Sequence, residues 1–139
     1  MRFIWVSNYT AQSSYAIQAR LVVPRLAALG HRVDVLEVGG GGNTPRLVDR
    51  VQILPVFGAD PVGNDCVCDY VARLRADAVL TLYDQFAARG ELLANLNWWA
   101  WTPVDHMPLP PIVDKQVQHA RGVIAMSRFG LRMLAGSRL

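Results

Sequence analysis

The sequence opens with a short apolar stretch that ends abruptly in small polar residues. Residues 2–7 read Arg-Phe-Ile-Trp-Val-Ser, a run rich in β-branched and aromatic side chains that is typical of a buried β-strand. Asn-Tyr-Thr-Ala-Gln-Ser-Ser-Tyr follows at 8–15, and an amphipathic helix pattern covers 16–29. Strand, polar loop and helix in this order predict the first unit of a doubly wound α/β domain.

The same alternation continues to the end of the chain. We predict six strands, at residues 2–7, 33–38, 51–54, 77–82, 97–101 and 122–126. Between and after them we predict helices at 16–29, 66–75, 85–96 (interrupted or weakened near Gly90), 112–121 and from Arg128 onward. Such alternation predicts one Rossmann-like α/β domain over residues 1–139: a three-layer fold whose mostly parallel six-stranded sheet carries helices on both faces.

The composition narrows the class of protein. A chain of 139 residues with 52% hydrophobic and 18% charged residues suits a single domain built on a buried sheet. The net charge of +3 is spread along the chain without a dense basic run, which disfavours nucleic acid as a partner. Cys66 and Cys68, two positions apart, make a poor metal site and favour free thiols in a reducing compartment. Without a signal peptide or a transmembrane run, we expect a cytoplasmic location.

Polar residues follow the ends of two predicted strands. In doubly wound sheets, ligands bind outside the carboxyl ends of the strands. The candidates for binding substrate at these positions are Asn8, Ser13, Ser14, Tyr15, Tyr83 and Asp84. A serine at the start of a helix is equally suited to cap it, and one residue can do both.

Two other features favour a structural interpretation over a functional one. The glycines at 39–42 follow a strand, but no helix pattern and no Lys-Ser/Thr ending come after them, so we predict a flexible loop. Trp98, Trp99 and Trp101 could stack on a sugar, yet their place in a strand favours core packing.

Four segments in order resemble a known family. They read Ser-Ser-Tyr-Ala-Ile-Gln-Ala-Arg-Leu at 13–21, Leu-Ala-Ala-Leu-Gly-His-Arg-Val at 26–33, Trp-Thr-Pro-Val-Asp-His-Met-Pro-Leu-Pro at 101–110 and Ala-Arg-Gly-Val-Ile-Ala-Met-Ser-Arg-Phe-Gly at 120–130. The second is generic, whereas the third and fourth in that order are more specific. Together they resemble the N-terminal, Rossmann-like domain of a GT-B fold glycosyltransferase, in the style of glycosyltransferase family 4.

This resemblance implies a retaining transfer of a hexosyl group from a nucleotide-sugar to a sugar or glycan acceptor. The N-terminal domain would hold the acceptor, and a C-terminal domain the donor. In the family that second domain carries two glutamates eight positions apart and a basic pair for the diphosphate, whereas this chain has only Glu37 and Glu91. We therefore expect the chain to supply the acceptor side, with the donor side contributed by a partner or by the remainder of a longer enzyme.

The resemblance also suggests roles for individual residues. His106 would bind a sugar hydroxyl near the reacting carbon, and Asp105 would orient His106 or bind the acceptor, although an Asp-His pair in a loop is often only a surface pair. The loop donors Asn8, Ser13, Ser14 and Tyr15 would serve a diphosphate or an acceptor hydroxyl at the first helix N-terminus. Ser127 is included as a ligand candidate, with capping of the last helix as the simpler reading. No cofactor and no metal are implied.

Two further hypotheses concern partners. The first is that the chain is a noncatalytic binding or assembly subunit that keeps the fold without the chemistry. An unrelated dinucleotide-binding protein is disfavoured, because residues 8–14 contain no glycine.

The second hypothesis about partners is self-association, or binding of a donor domain. It would use an apolar wall that we expect Tyr9, Tyr15, Tyr83, Met107 and Leu109 to form.

Overall fold

The opening strand lies in the middle of the sheet, with a parallel neighbour on each side. The computed structural model describes residues 1–40 and 42–136. Within them the sheet contains seven strands: β1 (Arg2–Ser7), β2 (Arg32–Glu37), β3 (Arg46–Val48), β4 (Val51–Pro55), β5 (Ala78–Leu82), β6 (Trp98–Thr102) and β7 (Gly122–Ala125). The protein is therefore an α/β protein with a mostly parallel sheet, as the alternation predicted.

The helices connect these strands. They are α1 (Ser14–Ala28), α2 (Val67–Leu74), a 3-10 helix (Gln85–Ala87), α3 (Gly90–Leu93), α4 (Pro111–Val117) and α5 (Arg128–Ala135). Gly30, with φ of 84°, follows the end of α1 in the left-handed conformation that terminates many helices. No helix in the described ranges is long and apolar enough to cross a membrane.

The strand order reveals a reversal of direction at the centre of the sheet. The order is β3-β4-β2-β1-β5-β6-β7. When only the parallel strands are numbered, this becomes 3-2-1-4-5-6, the order of the doubly wound Rossmann-type sheet. The chain moves outward from β1 to β2 and β4, then returns to the other side of β1 at β5. The loops that leave β1 and β5 consequently diverge and open a crevice between them.

The prediction of six strands was wrong by one, because β3 was assigned to a loop. β3 pairs antiparallel with β4 across a turn in which Asp49 and Arg50 have φ of 49° and 67°. Tight hairpins require such positive φ values, and their usual sequence signal is Asn-Gly or Asp-Gly. Asp-Arg is an unusual pair for this turn, so the hairpin gave no recognisable signal.

The helix predicted over 85–96 is replaced by two shorter helices. The chain is extended at Ala88, with φ −67° and ψ 149°, and α3 then begins at Gly90. A Cβ atom at Gly90 would lie 2.4 Å from the Gln116 carbonyl oxygen, and the Gly90 amide donates to Gln116 Oε1 at 2.7 Å. Close packing of α3 against α4 therefore requires glycine at the first residue of α3. The break itself lies at Ala88 and Arg89, next to the position where the pattern predicted an interrupted or weakened helix.

The two faces of the sheet are covered unequally. Trp5, Val35 and Ile53 belong to a core cluster to which α1 contributes Ala19 and Val23. A second cluster, built on the alternate strand residues, includes side chains from α2, α3, α4 and α5, namely Val67, Tyr70, Leu93, Val113, Val117 and Leu134. One helix thus serves the first cluster, and four serve the second.

Strand β6 shows this inequality within two neighbouring residues. Trp98 is fully buried in the second cluster, and its indole N–H donates to Thr81 Oγ1 at 3.0 Å. Trp99 points to the other face and is 39% exposed. Trp101, on the same face as Trp99, packs edge-to-face with Trp5 at a centroid distance of 5.9 Å. The alternation of side chains correctly predicted which tryptophans share a face of the sheet. Of Trp98, Trp99 and Trp101, Trp98 is the one that is fully buried in the core.

Charged residues close the amino ends of the central strands. The buried carboxylate of Asp34 accepts from Arg2 Nε at 2.6 Å, and the Arg2 guanidinium also donates to the Leu74 carbonyl at 2.9 Å. The Arg2 amide donates to Asp77 Oδ2 at 2.6 Å. A buried carboxylate requires such partners, so this end of the sheet is occupied by structural contacts.

Trp98 and Trp99 provide a matched test of the unequal faces. We expect Trp98→Phe to lower the free energy of unfolding by about 1–3 kcal/mol, since it leaves a cavity and removes the donor to Thr81. Trp99→Phe, with the same change of volume, should lower it by no more than about 0.5 kcal/mol. Denaturant unfolding of both variants measures the difference. Equal losses would contradict the unequal covering of the sheet.

Candidate functional site

The carboxyl ends of β1, β5 and β6 bring together three loops that sequence analysis selected. The loop after β1 carries Asn8 and leads into α1, the loop after β5 carries Asp84, and the loop after β6 carries Asp105 and His106. The first two flank the crevice where the strand order reverses. Crevices of this kind bind ligands in doubly wound sheets, so this edge is the candidate site.

A hydrogen bond spans the crevice between β1 and β5. The Tyr15 hydroxyl, at the start of α1, donates to Asp84 Oδ1 at 2.6 Å. Burial, this hydrogen bond and the negative charges of Asp84 and Asp105 all raise the pKa of Tyr15 above its ordinary value. The phenol therefore stays protonated at neutral pH and acts as a fixed donor that orients the Asp84 carboxylate.

A pocket of about 310 Å³ lies beside this bond. Its walls come from the segment after β5 and from the proline-rich segment between β6 and α4. It is lined by Asp84, Gln85, Phe86, Pro103, Val104, Asp105, His106, Leu109, Pro110, Ile112 and Val113. Most of the lining is apolar with a few polar groups, the composition expected of a small-molecule site. Three of the predicted site residues, Asp84, Asp105 and His106, meet here.

Asp105 and His106 form a pair at the rim of the pocket. His106 Nδ1 and Asp105 Oδ1 are 2.5 Å apart, while the side chains are 70% and 88% exposed. A carboxylate beside Nδ1 favours the tautomer with the proton on that nitrogen. Nε2 of His106 is then the nitrogen that can accept a hydrogen bond from a ligand.

Gln85 is a site residue that sequence analysis missed. Its side chain is buried, and Nε2 donates to the carbonyl oxygens of Tyr83 and Trp101, both at 3.1 Å. It therefore joins the end of β5 to the end of β6 and fixes the spacing of the two walls of the pocket. The available signal was a glutamine three positions after a predicted strand end, where a helix was predicted to begin.

The polar side chains of the β1–α1 loop are used mainly within the protein. Asn8 donates through Nδ2 to the Val38 carbonyl, and its Oδ1 accepts from Ser13 Oγ at 3.3 Å. Ser13 Oγ also accepts from the Ala16 amide at 3.1 Å, which confirms the prediction of a helix cap in this loop. Ser14 is exposed at the first position of α1. The donors of Asn8 and Ser13 are thus already engaged.

A second connection holds this loop to the neighbouring strand. The buried carboxylate of Glu37, at the end of β2, accepts from the Thr10 amide at 2.6 Å and from the Thr10 hydroxyl, and it pairs with Arg46 of β3. Burial alone would raise the pKa of Glu37, but the Thr10 hydrogen bonds and the Arg46 charge outweigh burial and lower it. The ionised carboxylate therefore fixes the loop at neutral pH. Sequence analysis did not connect these three residues.

Tyr83 and Ser127 lie outside the lining of the pocket. Tyr83 is buried, and its hydroxyl is 3.5 Å from Asn64 Oδ1. Burial, followed by the negative charge of Asp60, raises the pKa of Tyr83. Ser127 accepts from the Gly130 amide at 2.9 Å and caps α5, so its capping role is confirmed.

The apolar wall expected at this edge is not formed as predicted. Tyr9 and Tyr83 are buried in the two core clusters, so neither side chain is available to a partner. Met107 is exposed, and Leu109 lines the pocket. Periodicity identified these side chains as apolar residues near a strand end, but it did not show which of them turn inward.

The described residues contain no group of three or more histidine, cysteine or acidic side chains placed to hold a metal ion. The two cysteines within the described ranges are free, with Cys66 buried and Cys68 half-buried.

The tyrosines give a prediction about alkaline pH. All four, Tyr9, Tyr15, Tyr70 and Tyr83, have raised pKa values, with burial as the leading cause. Their contribution to stability is therefore fully present below about pH 10 and is lost as the pH rises further. At pH 10 we expect less tyrosinate absorbance from the folded protein than from the unfolded chain, whose tyrosines are about half-ionised at that pH. Half-ionised tyrosine in the folded protein at that pH would contradict the placement of these side chains.

Comparison with known proteins does not show a family for this chain. No protein-family model matches it, and no curated protein matches it.

Proposed function

We propose that this chain supplies the acceptor-side domain of a GT-B type glycosyltransferase, which transfers a hexosyl group from a nucleotide-sugar to a sugar or glycan. The observation that carries the proposal is the meeting of Asp84, Asp105 and His106 in one pocket, with Tyr15 hydrogen-bonded to Asp84 at its edge. This pocket lies beside the crevice where the strand order reverses, and Asp84 belongs to both, in a sheet of Rossmann-type order.

The proposal includes a finer description of the fold. The six parallel strands and their crossovers would form one three-layer half of a GT-B enzyme, with helices on both faces of the sheet. On the face of the first cluster, α1 is the helix that the described residues supply. In the proposed enzyme, further cover for this face would come from the donor domain or from a partner.

The site residues would act on the acceptor and on the transferred sugar. With Asp105 beside Nδ1, His106 presents Nε2 as an acceptor for a sugar hydroxyl close to the reacting carbon. Asp84, held by Tyr15, would accept a hydrogen bond from an acceptor hydroxyl and fix its direction. Placing the hydroxyl in this way lowers the entropic part of the barrier to transfer.

The leaving diphosphate would be held elsewhere. Departure of a nucleoside diphosphate needs fixed positive charge and hydrogen-bond donors. Arginine and lysine do not occur in the described lining of this pocket, and the donors of Asn8 and Ser13 are engaged within the protein. This distribution supports an acceptor role for the chain, with the donor held by a second domain or subunit in the proposed enzyme.

A noncatalytic binding or assembly subunit is the second candidate function. It is favoured by Trp99, which is 39% exposed on the sheet face where α1 is the helix supplied by the described residues. Large exposed aromatic side chains are frequent at protein interfaces. Self-association or docking of a donor domain through this face would explain its exposure without any catalysis.

The first test uses the 139-residue chain alone. We expect no steady turnover of any nucleotide-sugar, because the transition-state charge on the departing diphosphate would be left to water. Incubation with a panel of nucleotide-sugars and simple glycoside acceptors, followed by mass spectrometry of the products, measures this. Repeated turnover by the isolated chain would show that it holds the donor itself.

The second test uses a complete cleft, formed with the donor domain or partner. We expect His106→Ala to lower turnover by about ten- to a thousandfold, the range typical of one lost transition-state contact. His119→Ala, which removes a histidine outside the pocket lining, is the matched control and should retain activity. Activity of His106→Ala within twofold of wild type would exclude His106 from the chemistry and leave Asp105 and His106 as a surface pair.

A further inference from the structure

The charged groups that line the pocket are unbalanced. Among its described lining residues, Asp84 and Asp105 carry carboxylates, and His106 is the one side chain that can carry a positive charge. Protonation of His106 would still leave the carboxylates in excess. A ligand in this pocket therefore meets a negative local field, although the whole chain carries a net charge of +3.

The hydrogen bonds of the two carboxylates leave acceptors unused. Asp84 receives the Tyr15 hydroxyl on Oδ1, and Asp105 contacts His106 Nδ1 through Oδ1. Within the described part of the chain, no side chain or amide donates to Oδ2 of either aspartate. The pocket thus offers acceptors to a ligand: two carboxylate oxygens and, in the tautomer favoured by Asp105, His106 Nε2.

We propose that this pocket selects a sugar that bears hydroxyl or amino groups and no phosphate or carboxylate. The inference rests on the proposed function, in taking the pocket as the acceptor site, and it names the class of acceptor. Hydroxyl and ammonium groups donate to carboxylates, and a charged donor strengthens the bond. A phosphate brings further acceptors and negative charge against two carboxylates, which repel it without forming hydrogen bonds.

The apolar part of the lining fits the same class of ligand. Phe86 is 59% exposed although it lines the pocket, and Ile112 and Leu109 lie on the opposite segment. An aromatic ring and aliphatic side chains can cover the C–H face of a sugar ring while its hydroxyl groups reach the carboxylates. The volume of about 310 Å³ is at the lower end of the range for small-molecule pockets, which suits one sugar unit.

The test compares three probes on the 139-residue chain: glucosamine, glucose and glucose 6-phosphate. Chemical shifts of the Phe86 amide and the Gln85 side-chain amide report binding at the pocket. We expect glucosamine to bind at least about tenfold more tightly than glucose 6-phosphate, with glucose between them, because each step changes the charge that faces the carboxylates. The difference should shrink at high salt.

Two variants and one control test whether Asp84 and Asp105 cause the preference for glucosamine over glucose 6-phosphate. Asp84→Asn and Asp105→Asn should each reduce the preference for glucosamine over glucose 6-phosphate by about threefold or more. Both residues are exposed, so folding should be unaffected, and spectra of the variants verify this. Asp69→Asn changes the net charge equally at an exposed position of α2 and should leave the preference unchanged. An equal effect of Asp69→Asn would overturn the inference.

The outcomes separate this inference from the proposed function. Selective binding of glucosamine that depends on both aspartates supports the inference, even where no complete cleft transfers a hexose. Tighter binding of glucose 6-phosphate, or no binding of any of the three probes at the pocket, overturns it. Efficient transfer to a phosphorylated acceptor in a complete cleft would also overturn it while sustaining the glycosyltransferase function.

Discussion

The structure depends on the position of β1 between two parallel neighbours. Because β2 and β5 pair with opposite edges of β1, the chain must leave β1 toward one side and later return on the other. The loops that follow β1 and β5 are thereby directed apart, and the crevice between them is a consequence of topology. The hydrogen bond from Tyr15 to Asp84 crosses it. The side chains with the strongest claim to a function lie at or beside this crossing.

The features that sequence could predict are those encoded over a few neighbouring residues. The apolar run at β1, the alternation in β6 and the serine caps of α1 and α5 each depend on contacts within about one turn or one strand. Ser13 and Ser127 do cap their helices, and the predicted strands at β1, β2, β5, β6 and β7 are present within a residue or two. Because ligands bind at the carboxyl ends of strands in such sheets, the sequence also indicated Asp84 as a candidate site residue, and Asp84 lines the pocket.

The features that sequence could not predict depend on contacts between distant residues. Glu37 bonds to Thr10 across 27 positions, and Gln85 reaches the Trp101 carbonyl across 16. A break near Gly90 in the helix over 85–96 was predicted, but the hydrogen bond from the Gly90 amide to Gln116 Oε1, across 26 positions, depends on the packing of α3 on α4. Tyr83 was a ligand candidate because it follows β5, but its side chain is buried in the second core cluster. Local patterns carry no information about these distances.

Hydrogen-bond donors and acceptors near the sheet differ in how far they are engaged within the protein. At the amino ends of the strands, Arg2 is committed to Asp34 and to the Leu74 carbonyl. At the carboxyl ends, the donors of Asn8 and Ser13 serve the protein, while Asp84 and Asp105 present acceptors. Acceptors can position a hydroxyl nucleophile, but they cannot stabilise negative charge that develops on a departing phosphate. In the proposed glycosyltransferase, cationic groups for the phosphate would therefore come from outside this pocket. The division of groups between the two ends of the strands is the reason for proposing that this chain presents the acceptor, while another domain or subunit holds the donor.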